Sequence, residues 1–166
     1  MFRFVNLFIL FVFATLFHWL CLIALSPFEI TLESMFLVSL IVASLLPEKY
    51  GYTFAFFSGL FVDFFGIQLF GAHAFVFVLL VFLFYNLKNK IDFKTISSQI
   101  IITASLTIVE ILLFGFIFKI GTGTFFWLGF KNIFWGTWLC SILMPAIYRF
   151  IERFLIFNVL KKLDEK

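Results

Sequence analysis

Apolar stretches with few or no charges fill most of the chain, separated by short polar breaks that carry nearly all the ionisable side chains. The first stretch, Phe4 to Leu25, is uncharged and would reach about 33 Å as a helix, enough to cross a hydrocarbon core. It is too long for the apolar region of a signal peptide, although Met1-Phe2-Arg3 would serve as the basic lead of one, so it predicts an uncleaved first helix. Ser26-Pro27 ends it. Further spans are predicted over 34–46, closed by Pro47-Glu48-Lys49, over 52–66, over 69–87, over 96–118 and over 133–148. The second and third are short for a core about 30 Å thick and require local thinning, buried ends or added flanking residues. The expected fold is all-α: a six-transmembrane-helix bundle forming one polytopic membrane domain over 1–166, with a basic cytoplasmic tail at 149–166.

Composition narrows the picture to the membrane. Of the 166 residues, 64% are hydrophobic and 13% charged, where a soluble domain has roughly 45–50% and 25%. Such a chain cannot clothe a water-exposed surface, which excludes a soluble enzyme, a nucleic-acid binder and a disordered segment. Cys21 and Cys140 each sit in an apolar stretch and form neither a disulfide framework nor a metal-ligand cluster.

The net charge of +3 matters less than where the cations fall. With six spans and a cytoplasmic amino terminus, Arg3, Lys49, Lys88, Lys90, Lys94, Arg149, Arg153, Lys161, Lys162 and Lys166 lie inside, and only Lys119 and Lys131 outside. Losing one span would destroy this asymmetry, so charge supports six spans independently of hydropathy. Both termini are expected in the cytoplasm. In the tail, Arg149 and Arg153 are one turn apart, with Phe150, Ile151, Phe154 and Leu155 opposite them. This predicts a helix end lying along the inner interface, with Arg149, Arg153, Lys161 and Lys162 at lipid headgroups; a plain solubilising tail is the simpler alternative.

Ionisable groups at membrane depth are costly, so each is a candidate for function. Gly59, Asp63 and Gly66 recur at i, i+4 and i+7, one helical face whose small residues, with Ala55 a turn earlier, admit a second backbone. The turn that ends at Gly71 brings His73 back toward Asp63, predicting either a contact between the two or Asp63 capping the fourth span. The simpler reading is that the pair only fastens the hairpin. Glu110, in mid-span, must be neutral, paired or turned to a polar interior. His18 reads as a packed core residue. No nucleophile motif, metal spacing or phosphate loop occurs; Gly121-Thr122-Gly123-Thr124 lacks the lysine of a P-loop. No catalytic residue, metal or cofactor is expected.

The run Gly59-Leu60-Phe61-Val62-Asp63-Phe64-Phe65-Gly66, followed by Leu69-Phe70-Gly71-Ala72-His73-Ala74, resembles the signature of the rod shape-determining protein MreD family. The layout agrees along the whole chain, including the acidic residue in span five, but the residue-level likeness is confined to about 51–87. Gln68 and Phe70 make the turn bulkier than the family pattern. The resemblance implies a non-enzymatic scaffold of the bacterial elongation machinery in the cytoplasmic membrane. It would bind a bitopic MreC-like protein and, through it, MreB filaments, RodA and a class B penicillin-binding transpeptidase, so positioning peptidoglycan synthesis and maintaining rod shape. Gly59, Asp63, Gly66, Gly71, His73 and Glu110 would be the helix-packing and partner-binding residues. The resemblance also implies a fold similar to the substrate-binding subunits of energy-coupling-factor transporters, which supplies the rival: a small-molecule-binding subunit of an uptake transporter. That rival needs an outward pocket with convergent polar groups. The available ones, Glu29, Thr31, Glu33, Gln68, His73, Thr122, Thr124, Lys131 and Asn132, look scattered along the sequence. Ion conduction would need more in-line polar groups than these spans offer.

Overall fold

A computed structural model describes residues 4–66, 69–88, 91, 93, 95–124 and 129–164, with side chains from Val5 to Leu155 among them. Six α-helices follow in order: α1 Phe4–Leu25, α2 Ser34–Leu45, α3 Glu48–Phe65, α4 Ala72–Lys88, α5 Ile96–Thr122 and α6 Gly129–Asp164; a short 3-10 turn, Ser26–Phe28, follows α1. Among the described residues there is no strand. Three helical stretches, Val5–Phe28, Ile96–Thr122 and Gly129–Leu155, are long and apolar enough to cross a membrane, and Ser34–Leu45 and Ala72–Lys88 are shorter apolar helices.

The short α2 is the axis of the bundle. It packs against α1, α3, α4, α5 and α6, and every residue from Ser34 to Ala43 is buried. An apolar helix with no polar face belongs inside other helices. Its 12 residues therefore need not match a bilayer, because protein surrounds them. Of the alternatives open for this short span, burial within protein is the one α2 takes. At the rim, among the described side chains α1 buries only Leu7, Leu10 and Ala14 and exposes Val5, Phe8, Leu16, Leu20 and Ile23, the reverse of α2.

Side-chain contacts fix the direction of each helix. Trp19, near the end of α1, meets Phe65 at the end of α3. His18 bonds Ser34 at the start of α2, and Asp63, late in α3, bonds His73 at the start of α4. A Cβ on Gly136, early in α6, would lie 2.6 Å from the Thr31 carbonyl oxygen. These groups define one end of the bundle. At the opposite end Lys88, closing α4, donates to the carbonyls of Ser44 (2.6 Å) and Ala43 (3.4 Å) in the last turn of α2. Phe93, ahead of α5, packs on Phe84 of α4 and Tyr148 of α6. The helices thus alternate in direction.

Lys88 satisfies carbonyls that a helix leaves without partners and places a cation at the negative end of its dipole. Lys88→Met keeps the aliphatic stem and removes the donor, and is expected to destabilise the fold by about 1 kcal/mol. Thermal unfolding in detergent reads this directly; an unchanged midpoint would show that the cap contributes nothing.

Several predicted boundaries shift. α3 begins at Glu48, with Pro47 at its N-cap, four residues before the predicted start at 52, since Pro47 sets an extended entry that a helix can follow. α5 continues past the predicted end at 118 to Thr122 and closes on Gly123 at φ +76°. In the tail, where a helix end was expected, α6 continues unbroken through Pro145 and past the end of the predicted span at Tyr148, 36 residues in all, about 54 Å. Ile151 and Leu155 are buried and Phe154 half-buried, which extends the core contact, whereas Phe150 is exposed beside Arg149 and Arg153. The side chains of Lys161 and Lys162 lie outside the described residues.

Candidate functional site

The α3–α4 hairpin is built on two residues one turn apart. At Gly59 a Cβ would lie 2.4 Å from Ala74 Cα, 2.5 Å from Ala74 N and 2.6 Å from His73 C. All three are backbone atoms, so only glycine lets α4 approach this closely. One turn later Asp63 uses the approach. Oδ1 accepts the His73 amide at 3.1 Å and His73 Nδ1 at 2.7 Å, and Oδ2 accepts the Ala74 amide at 3.2 Å. The carboxyl group is fully enclosed. Asp63 therefore both contacts His73 and caps α4, using a helix start as an anion site. The His73 ring in turn stacks on Phe114 of α5, centroids 4.0 Å apart, so the clasp reaches a third helix.

The other residues of the predicted face behave differently. α3 ends at Phe65, and Gly66 is its extended C-cap at φ −82°, so Gly66 does not continue the helical face of Gly59 and Asp63. Gly71 takes φ +90° and a Cβ there would meet nothing within 4 Å. It serves the turn into α4, not a close approach. Gln68 lies outside the described residues.

Glu110 is 1% exposed and belongs to a cavity of about 260 Å³ at the end of the bundle where α3 turns into α4. The walls include His18, Trp19, Thr31, Glu33, His73 and Phe114. Three polar residues that look scattered in the sequence, Thr31, Glu33 and His73, converge here with Glu110, while Glu29 and Lys131 line a separate hollow with Trp135. Thr122 and Thr124 bond one another at the end of α5. His18 Nδ1 and Ser34 Oγ lie 2.8 Å apart, so His18 is a half-buried wall residue held by a buried serine. Burial pushes the carboxyl group of Glu33 above the ordinary carboxylate range, and His73 pulls it back.

Sequence reasoning did not find Gly136 or the capping role of Lys88. A solitary glycine inside an apolar helix is a usable signal, since it costs helix stability without a packing reason. A lysine that caps a distant helix leaves no local trace.

A bundle of apolar helices turned inward on a buried carboxylate clasp and an acidic cavity defines a helical membrane protein. No protein-family model, curated protein or solved structure matches the chain.

Proposed function

We propose that this protein is a non-enzymatic membrane scaffold of the bacterial elongation machinery, of the MreD kind. It spans the cytoplasmic membrane six times and binds an MreC-like bitopic partner. The observation that carries this reading is the state of Asp63: an enclosed carboxylate committed to three donors of one neighbouring helix turn fastens the hairpin, a structural role for that acid. The hairpin turns Phe56, Phe57, Phe64, Phe75 and Phe82 outward, side chains suited to a partner's membrane helix. Through that partner the protein would meet MreB filaments, RodA and a transpeptidase, and so position peptidoglycan synthesis.

The charge pattern supports an orientation. Lys49, Lys88, Arg149 and Arg153 belong to the end of the bundle opposite the clasp, and Lys119 and Lys131 to the clasp end. By the positive-inside rule the first end and both termini would lie in the cytoplasm and the cavity toward the outside. Arg149 and Arg153 are exposed where anionic headgroups would lie. The bundle would be similar in fold to the substrate-binding subunits of energy-coupling-factor transporters.

The test is affinity purification of the tagged protein from mildly solubilised membranes. An MreC-like protein should co-purify with wild type and be depleted at least several-fold with Asp63→Ala at equal membrane level, with rounded cells. Equal recovery of the partner and normal rods would show that docking does not depend on the hairpin that Asp63 fastens.

A further inference from the structure

The cavity beside the clasp has a charge imbalance that the scaffold reading does not use. Two carboxyl groups, Glu33 and Glu110, line it together with two histidines, and among the described residues no lysine or arginine does. Both histidines have a ring nitrogen engaged, His73 on Asp63 and His18 on Ser34. Glu110 Oε2 is buried with no hydrogen-bond partner. A buried carboxyl oxygen left unsatisfied is expensive, and the residue lies on a cavity wall into which a ligand could bring the missing donor.

The remaining walls indicate the kind of donor. Trp19, Phe61, Phe65 and Phe114 supply aromatic surfaces around the acids, and a carboxylate among aromatic rings is suited to an alkylammonium group, which gains both ion pairing and cation–π attraction. No group of three or more His, Cys, Asp and Glu side chains among the described residues could hold a metal ion. At about 260 Å³ the space is smaller than the ~300–1,000 Å³ of a drug-sized site. Trp19, Leu22 and Phe65 are wall residues that also reach the outer surface, and the Trp19 and Phe65 rings meet there, so side chains of α1 and the end of α3 form the partition between the cavity and the outside.

We propose that this cavity binds a small primary ammonium group, with Glu110 as its counter-ion and Glu33 as a second acceptor. The ammonium can arrive on a free amine from outside or on a phosphatidylethanolamine headgroup passing Trp19 and Phe65 between α1 and α3. The chemistry recognised is the same.

The full chain, purified in detergent, is titrated calorimetrically with ethanolamine and with ethylene glycol, its neutral counterpart. In parallel it is reconstituted into nanodiscs of phosphatidylglycerol with or without phosphatidylethanolamine, and retained lipid is identified by native mass spectrometry. Wild type should bind ethanolamine and not ethylene glycol if the source is a free amine, or retain phosphatidylethanolamine selectively if it is lipid. Glu110→Gln should weaken either signal at least ten-fold while its melting temperature stays level or rises, because the costly buried acid is gone. Glu33→Gln should weaken it less. Wild type that takes up neither probe, or responds equally to ethylene glycol, overturns the proposal. So does undiminished binding by a folded Glu110→Gln. The wild-type comparison of amine with glycol stands even if that variant fails to fold.

Discussion

Gly59→Leu should abolish the native hairpin. The new side chain would start from a Cβ already 2.4–2.6 Å from three backbone atoms of His73 and Ala74, and backbone in a capped first turn cannot swing aside as the tip of a side chain can. Overpacking a core typically costs about 1–3 kcal/mol. Here the whole first turn of α4 must retreat, and retreat also pulls its amides off Asp63, so the loss should reach at least about 3 kcal/mol. That is a large share of the stability of a small domain. In practice, yield of monodisperse protein should collapse and any residue should melt well below wild type. Gly59→Ala should show the same effect in weaker form. Gly71→Ala, where space is open and only the positive φ is strained, should cost about 1 kcal/mol. Gly59→Leu protein with wild-type melting would refute the close approach.

Asp63→Ala is the second large effect. It removes the acceptor for the His73 and Ala74 amides and for His73 Nδ1 at once, leaving three enclosed donors without partners. Breaking a buried pair by deleting one side costs about 3–5 kcal/mol, and in this site a helix start also loses its counter-charge. Asp63→Asn retains an acceptor oxygen but presents an N–H₂ to one of the donors, so it should fall between Ala and wild type. Because Gly59 sets the distance across which Asp63 reaches, the two sites should not be additive: Gly59→Ala with Asp63→Ala should cost less than the separate losses combined. Additive losses in thermal unfolding would show that the approach and the clasp are independent. Co-purification of the partner with Asp63→Ala, measured below its melting temperature, separates a lost docking surface from a lost fold.

Helix existence was legible because it rests on local chemistry. Uncharged runs bounded by Ser26-Pro27, Pro47 and Gly71 have few alternatives to helices, and the observed α1 coincides with the predicted 4–25. The meeting of Asp63 with His73 was legible for the same reason, since a short turn between helices leaves the flanking residues little choice of neighbour. Boundaries set by packing were not. The helical spacing past Tyr148 was legible, but not that Ile151 and Leu155 are buried in the core rather than laid along an interface. Gly66 shared the right spacing with Gly59, yet the helix stops one residue before it.

The cavity was invisible for a deeper reason. Glu33 and Glu110 are far apart in the chain, and what joins them is the enclosure of α2, which sets Glu33 at its start beside mid-α5. The sequence by itself determined that this chain is helical and apolar, which short-range hydrogen bonding and the near absence of charge decide without reference to distant residues. Only the tertiary structure decided that the shortest apolar helix is the innermost, that a glycine sits against a backbone, and that two separated acids share one pocket. Each of these depends on which helix faces meet, and faces with nearly uniform hydrophobicity all round carry no one-dimensional mark of their partners.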